Sequence, residues 1–118
     1  MERVHGVGGV FIRADDTIGL RQWYADMLGV VDPPDGVWHQ QAGPTVFAAF
    51  PRDNDHFPLD QQVMLNFRVD DLDAMLQHLR SAGVTVLREE DEDGVGRFAW
   101  IADPQGNRVE LWQPAPGT

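Results

Sequence analysis

The chain contains no cysteine, which removes a disulfide framework, thiolate metal ligation and every cysteine nucleophile at once. A reducing cytoplasm suits such a composition. Cationic side chains are also scarce: Lys and Arg number 9 against 19 Asp and Glu, for a formal net charge of -10. That balance repels phosphate backbones and anionic bilayer surfaces, so neither nucleic acid nor a membrane is expected as a partner. No apolar run approaches the roughly eighteen residues of a membrane span. The opening "MERVHGVGGV" lacks the continuous apolar core of a signal peptide, so cytoplasmic location is the expectation.

What is present is a globular composition, 42% hydrophobic over 118 residues, enough for one domain over 1–118 but not for two independent cores. The chain also repeats itself. "FIRADD" at Phe11 to Asp16 returns as "NFRVDD" at Asn66 to Asp71. The offset that pairs Asp15 with Asp70 also pairs Ile12 with Phe67, Arg13 with Arg68, Leu20 with Met75 and Tyr24 with Leu79. Further along, Gly43, Val46 and Pro51 match Gly106, Val109 and Pro114 at a second constant offset.

Alternation of Val10, Ile12 and Ala14 with Phe11 and Arg13 predicts a strand buried on one face. Asp15, Asp16 and Thr17 then offer capping side chains, and Leu20, Trp23, Tyr24 and Met27 fall at helical spacing until Gly29. The second half repeats the pattern. Val63, Leu65, Phe67 and Val69 predict a strand, Asp70 or Asp71 a cap, and Leu72, Met75, Leu76 and Leu79 a helix stripe ending before Gly83. Strands are predicted over 84–87, 97–102 and 108–112, the last two joined by a "DPQGN" turn, and in the first half over 30–32, 37–41 and 45–50. The acidic "EEDED" at Glu89 to Asp93 reads as a solvated loop. Residues 52–62, polar and proline-bearing, read as a linker between a module at 7–51 and one at 63–114. The predicted class is α+β: two tandem β-α-β-β-β modules whose curved mixed sheets enclose a shared cleft.

This duplication, with "FRVDDLDAM" opening the second module and "DPQGNRVELWQP" closing it, resembles the vicinal oxygen chelate superfamily, which includes glyoxalase I, bleomycin-resistance proteins and extradiol dioxygenases. In its metal-dependent members the resemblance implies ligands from the first and last strands of each module. Carried onto this chain, those positions are Gly9, Phe47, Met64 and Glu110, and the repeat offsets pair Gly9 with Met64 and Phe47 with Glu110. Only Glu110 has a donor that a hard or borderline divalent cation accepts. No metal and no cofactor are therefore expected.

Strand parity sends Arg108, Glu110 and Trp112 to one face, and Val109 and Leu111 to the helix side. The cleft would also receive Phe11, Arg13, Thr45, Phe47, Ala49, Met64, Asn66 and Arg68, an apolar lining with polar anchors. Glu110, desolvated between Phe47 and Met64, is the candidate catalytic residue, a general acid or base. The bland alternative pairs it with Arg108 or Arg68. Ligand-binding candidates are Phe11, His39, Phe47, Met64, Asn66, Arg108 and Trp112. Of the 4 tryptophans, Trp23 reads as core and Trp112 as cleft, while the strand registers leave Trp38 and Trp100 undecided. His5, His56 and His78 read as exposed or structural; His39 is the histidine kept for a ligand.

Three functional readings remain. The preferred one is metal-independent binding of a small, largely apolar or aromatic organic molecule; whether it is also an enzyme stays open. The second is a metal-dependent lyase, isomerase or dioxygenase using substitute ligands such as His39, His56 and Glu110. The third is an interaction module whose cleft is closed by Phe47, Met64 and Trp112. The resemblance also implies a homodimer.

Overall fold

A computed structural model of the chain describes residues 1–30 and 36–117. Its elements are α1 (Thr17–Leu28), β1 (Leu65–Arg68), α2 (Leu72–Ser81), β2 (Arg88–Glu92), β3 (Gly96–Ala102) and β4 (Arg108–Pro114). The strands form one sheet in the order β1-β4-β3-β2, with β1 parallel to β4 and the other pairs antiparallel. The class is α+β.

Both helices begin where a carboxylate can take an orphan amide. Asp16 accepts from Gly19 N at 2.9 Å and Asp71 from Ala74 N at 3.0 Å. Gly29, at φ 70°, then ends α1 in the left-handed conformation that closes a helix without a Cβ penalty. The α2 amide of Leu72 donates to Gln113 Oε1 at 2.8 Å, which fastens the helix start to the last strand.

The core lies between the helices and one sheet face. Leu20 and Tyr24 from α1 and Leu72, Leu76 and Leu79 from α2 pack on Ala99, Ile101, Val109 and Leu111. Each large aliphatic group removed from water here contributes roughly 1.5–3 kcal/mol. The first half of the chain is tied on by polar contacts too. Tyr24 Oη donates to buried Asp103 Oδ2 at 2.6 Å, and His78 Nε2 lies 3.0 Å from the Asp26 carbonyl. Burial, then the Asp103 hydrogen bond, pushes the Tyr24 hydroxyl well above the usual phenol range.

Two strand expectations need correction. The acidic run is not a loop: Arg88–Glu92 is a strand, paired with β3 from Arg88↔Trp100 to Glu92↔Gly96. Backbone pairing needs no apolar side chain, and charges on an edge strand block further pairing. The predicted strand at 84–87 is instead the approach to β2, where Val84 and Val86 pack against the core.

The second correction concerns the first module. Among the described residues, 10–14, 37–41 and 45–50 carry no ladder, and the 30–32 strand lies largely outside the described residues. Phe11 is 96% exposed and Phe47 98%. Glycines at 6, 8 and 9 and the Gly43-Pro44 pair raise the cost of ordering these segments, and alternation alone supplies no pairing edge. The second module thus has its full β-α-β-β-β order, while the first contributes its helix and extended, unladdered segments.

Candidate functional site

The ladder register lays out the helix-free face of the sheet as a grid. One row reads Asn66, Glu110, Trp100, Arg88; the next reads Arg68, Trp112, Phe98, Glu90. Period-two alternation puts these residues opposite Val109, Leu111 and Ala99, as parity requires.

At the centre is an aromatic row. Phe98 and Trp112 lie parallel at 3° with centroids 6.2 Å apart, and Phe98 and Trp100 are stacked at 6.0 Å. Trp112 is held by its indole N–H, which donates to the Val95 carbonyl at 3.0 Å. Gly96 makes that closeness possible: a Cβ there would sit 2.2 Å from the Gln113 carbonyl oxygen and 2.7 Å from Trp112 Nε1.

Trp100 is 1% exposed although no helix covers it. Part of its cover comes from the linker. The His56 ring lies 5.5 Å from Trp100, with Phe50 5.7 Å from His56, and the Arg88 guanidinium stands 5.3 Å over the indole. The linker is docked by backbone-like contacts. The Gln61 side-chain amide accepts from Arg108 N at 2.8 Å and donates to Arg108 O at 2.9 Å, while Arg108 Nη1 donates to the His56 carbonyl at 3.3 Å.

Glu110 sits at the corner of this row, half-buried, and accepts from Asn66 Nδ2. Burial raises its carboxyl above the usual carboxylate range. The Asn66 hydrogen bond and the charge of His56 oppose that rise, as does the nearby Trp100 indole, whose N–H is buried without a hydrogen-bond partner. A carboxyl so placed can donate or accept a proton near the aromatic row.

The structure brings together Asn66, Arg108, Glu110 and Trp112 on one face, with half-buried Met64 at the entry to β1. It does not bring in Phe11, His39 or Phe47, which are exposed on the unladdered segments. Trp38 lies 6.2 Å from Phe67, on the helix side, whereas Trp100 faces the candidate site. Sequence reasoning missed Phe98 and Arg88 on this face, left Trp100 undecided, and set His56 with Glu110 only as a substitute metal ligand. One signal for the linker residues was available: Phe57, beside His56, is an aromatic side chain in a largely polar segment.

The donor set does not fit a chelated metal. Of the four positions implied by resemblance only Glu110 carries a donor, and the described residues contain no group of three His, Asp or Glu side chains able to hold an ion. Of the substitute ligands, His56 approaches Glu110 but His39 remains on an exposed segment. Among the described residues, no helix is long and apolar enough to cross a membrane.

This fold and its helix-free face define a class. The glyoxalase-like domain profile matches residues 9–112, and the chain belongs to that family. It is 45% identical over 51 residues to "Putative glyoxylase CFP32" of Mycobacterium bovis, a stretch covering 42% of this chain and 20% of that protein. The chain therefore spans only a fraction of that relative's length. Among solved structures, TnmS3, an antibiotic binding protein from Streptomyces sp. CB03234, superposes with a TM-score of 0.63 at 24% identity, covering 98% of this chain and 100% of that one. A glyoxylase/bleomycin resistance protein/dioxygenase domain from Frankia sp. EAN1pec gives 0.63 at 17% identity over 96% and 100% of the two chains. Lactoylglutathione lyase from Agrobacterium tumefaciens gives 0.60 at 18% identity over 94% and 95%.

Proposed function

We propose that this protein binds a small, largely apolar or aromatic organic molecule on the helix-free face of the second module, without a metal. The observation that carries the reading is the Trp112–Phe98–Trp100 row with Glu110 at its corner. Trp100 and Trp112 are themselves buried and back the row, so the ring that meets a planar ligand is half-buried Phe98, and the half-buried Glu110 carboxyl offers it one orienting hydrogen bond. Asn66 holds that carboxyl and Arg108 fixes the linker beside it. The fold shared with TnmS3, an antibiotic binding protein, is one that accommodates such a role.

In this reading the division into 7–51, 52–62 and 63–114 gives the middle segment a part in the site. The first-half segments that lack a ladder find their partners in a second copy, so the working form is a homodimer, and the cysteine-free composition suits the cytoplasm. Phe11, His39 and Phe47 belong to those segments and join the site when they pair. Light scattering on the purified chain tests this, with a monomer at micromolar concentration counting against it.

A thermal-shift screen against metabolites and antibiotics tests binding, because a ligand of the native state raises apparent stability. Metal analysis of untagged protein tests the other half. Stoichiometric zinc, nickel, manganese or iron would replace this reading with the metal-dependent one through His56 and Glu110.

A further inference from the structure

The single histidine on the candidate face has a fixed tautomer. Asn54 Oδ1 accepts the His56 backbone N–H at 2.9 Å and lies 2.8 Å from His56 Nδ1. A backbone N–H can only donate, so the Asn54 atom is an acceptor and Nδ1 carries the proton. Nε2 is left as the working nitrogen. Glu90 Oε2 lies 3.9 Å from it, beyond hydrogen-bond reach. The other oxygen of that carboxylate is already engaged, since Arg88 Nε donates to Glu90 Oε1 at 2.8 Å. Asp55 lies 3.9 Å from the Nδ1 side of the ring and 3.5 Å from Arg88 Nη1, so it does not compete for Nε2, and Glu110, the other charged neighbour, is engaged by Asn66.

We propose, on the basis of the aromatic-binding reading above, that His56 Nε2 and Glu90 Oε2 form a subsite for a hydroxyl group on the bound molecule. A separation too long for a direct hydrogen bond is bridged by one oxygen atom. A hydroxyl suits either charge state of the ring. It donates to Nε2 when the imidazole is neutral; when the ring is charged it accepts from Nε2–H and donates to Glu90. An ether or ketone satisfies only the second of these contacts in part, and a methyl group neither. The place also fits, since the His56 ring lies 5.5 Å from Trp100 and Glu90 is the cross-strand partner of Phe98. The gap therefore lies beside Phe98, the half-buried ring of the row, and the ligand class is a hydroxyl-bearing aromatic, a phenol in the simplest case.

The test is calorimetric titration of the full chain with 2-naphthol and with 2-methylnaphthalene, which has a methyl in place of the hydroxyl. His56→Phe keeps a ring against Trp100 and removes the nitrogen. It should weaken 2-naphthol by about tenfold relative to 2-methylnaphthalene, the effect of one hydrogen bond. Glu90→Gln, on an edge strand that tolerates polar change, removes the acceptor used with the charged ring and offers the hydroxyl oxygen an amide N–H beside the neutral one, so it should change the same preference several-fold and covers the case in which the His56 variant does not fold. An equal change in both probes, or none, in the folded variants overturns the hydroxyl subsite while leaving aromatic binding intact. If wild-type protein binds neither probe, the aromatic-binding reading fails and the subsite with it.

Discussion

Asn66 Nδ2 donates to Glu110 Oε1, its partner across the parallel β1–β4 ladder. The two halves of the second module's core motif thus meet at the one residue of the four implied positions that can do chemistry. Burial raises the Glu110 carboxyl, so the folded state keeps a proton that the unfolded state releases. Stability is then lost as pH rises from the ordinary carboxylate range through the folded value, and the loss persists above it. Glu110→Gln removes that penalty and can still accept from Asn66. Its Tm should equal wild type near pH 4 and exceed it by about 2–5 °C at pH 7, as read by thermal unfolding at both pH values. A Tm advantage independent of pH would contradict the assignment.

Tyr24 and Asp103 join the two halves of the chain through one buried hydrogen bond. Tyr24→Phe leaves the ring in the core but takes a donor from a buried carboxylate that also accepts from the amides of Gln105 and Asn107, both at 2.9 Å. A loss of about 2 kcal/mol in urea unfolding is expected. Because the turn keeps its other contacts, the variant should remain folded.

Gly96 is the glycine whose replacement matters most at the site. It sits at φ 139°, and a Cβ would press into the Gln113 carbonyl at 2.2 Å. Gly96→Ala should cost about 2–3 kcal/mol and disturb the Trp112 indole, whose hydrogen bond lies beside it. Urea unfolding gives the first quantity and near-UV circular dichroism the second.

Much of the second module is legible in sequence because its signals are local. Asp71 caps α2, Leu72, Leu76 and Leu79 stripe it, and parity on β4 separates Val109 and Leu111 from Glu110 and Trp112. What could not be read is non-local. A run such as Glu89 to Asp93 announces contact with water, and an edge strand meets that condition as well as a loop does. His56 reaches Trp100 through Gln61 holding Arg108, a contact between residues far apart in the chain. Val10, Ile12 and Ala14 alternate correctly, yet alternation specifies a face and leaves the partner strand unspecified.

The exposed first-half aromatics lead to a separate expectation. Phe47→Glu places a charge on a side chain that is solvent-exposed in the single chain. If a second copy covers it, the variant should shift the molecule to monomer in light scattering while the thermal unfolding of the second module changes little. An unchanged dimer would place the contact elsewhere.

The central claim is that a ligand lies against Phe98, between the buried indoles of Trp100 and Trp112. The chain's 4 tryptophans make this directly measurable. In a two-dimensional amide spectrum titrated with 2-naphthol, the indole resonances of Trp100 and Trp112 should move, while those of Trp23 and Trp38, on the helix side, stay in place. Movement confined to Trp23 and Trp38, or none at saturating probe, would contradict the account.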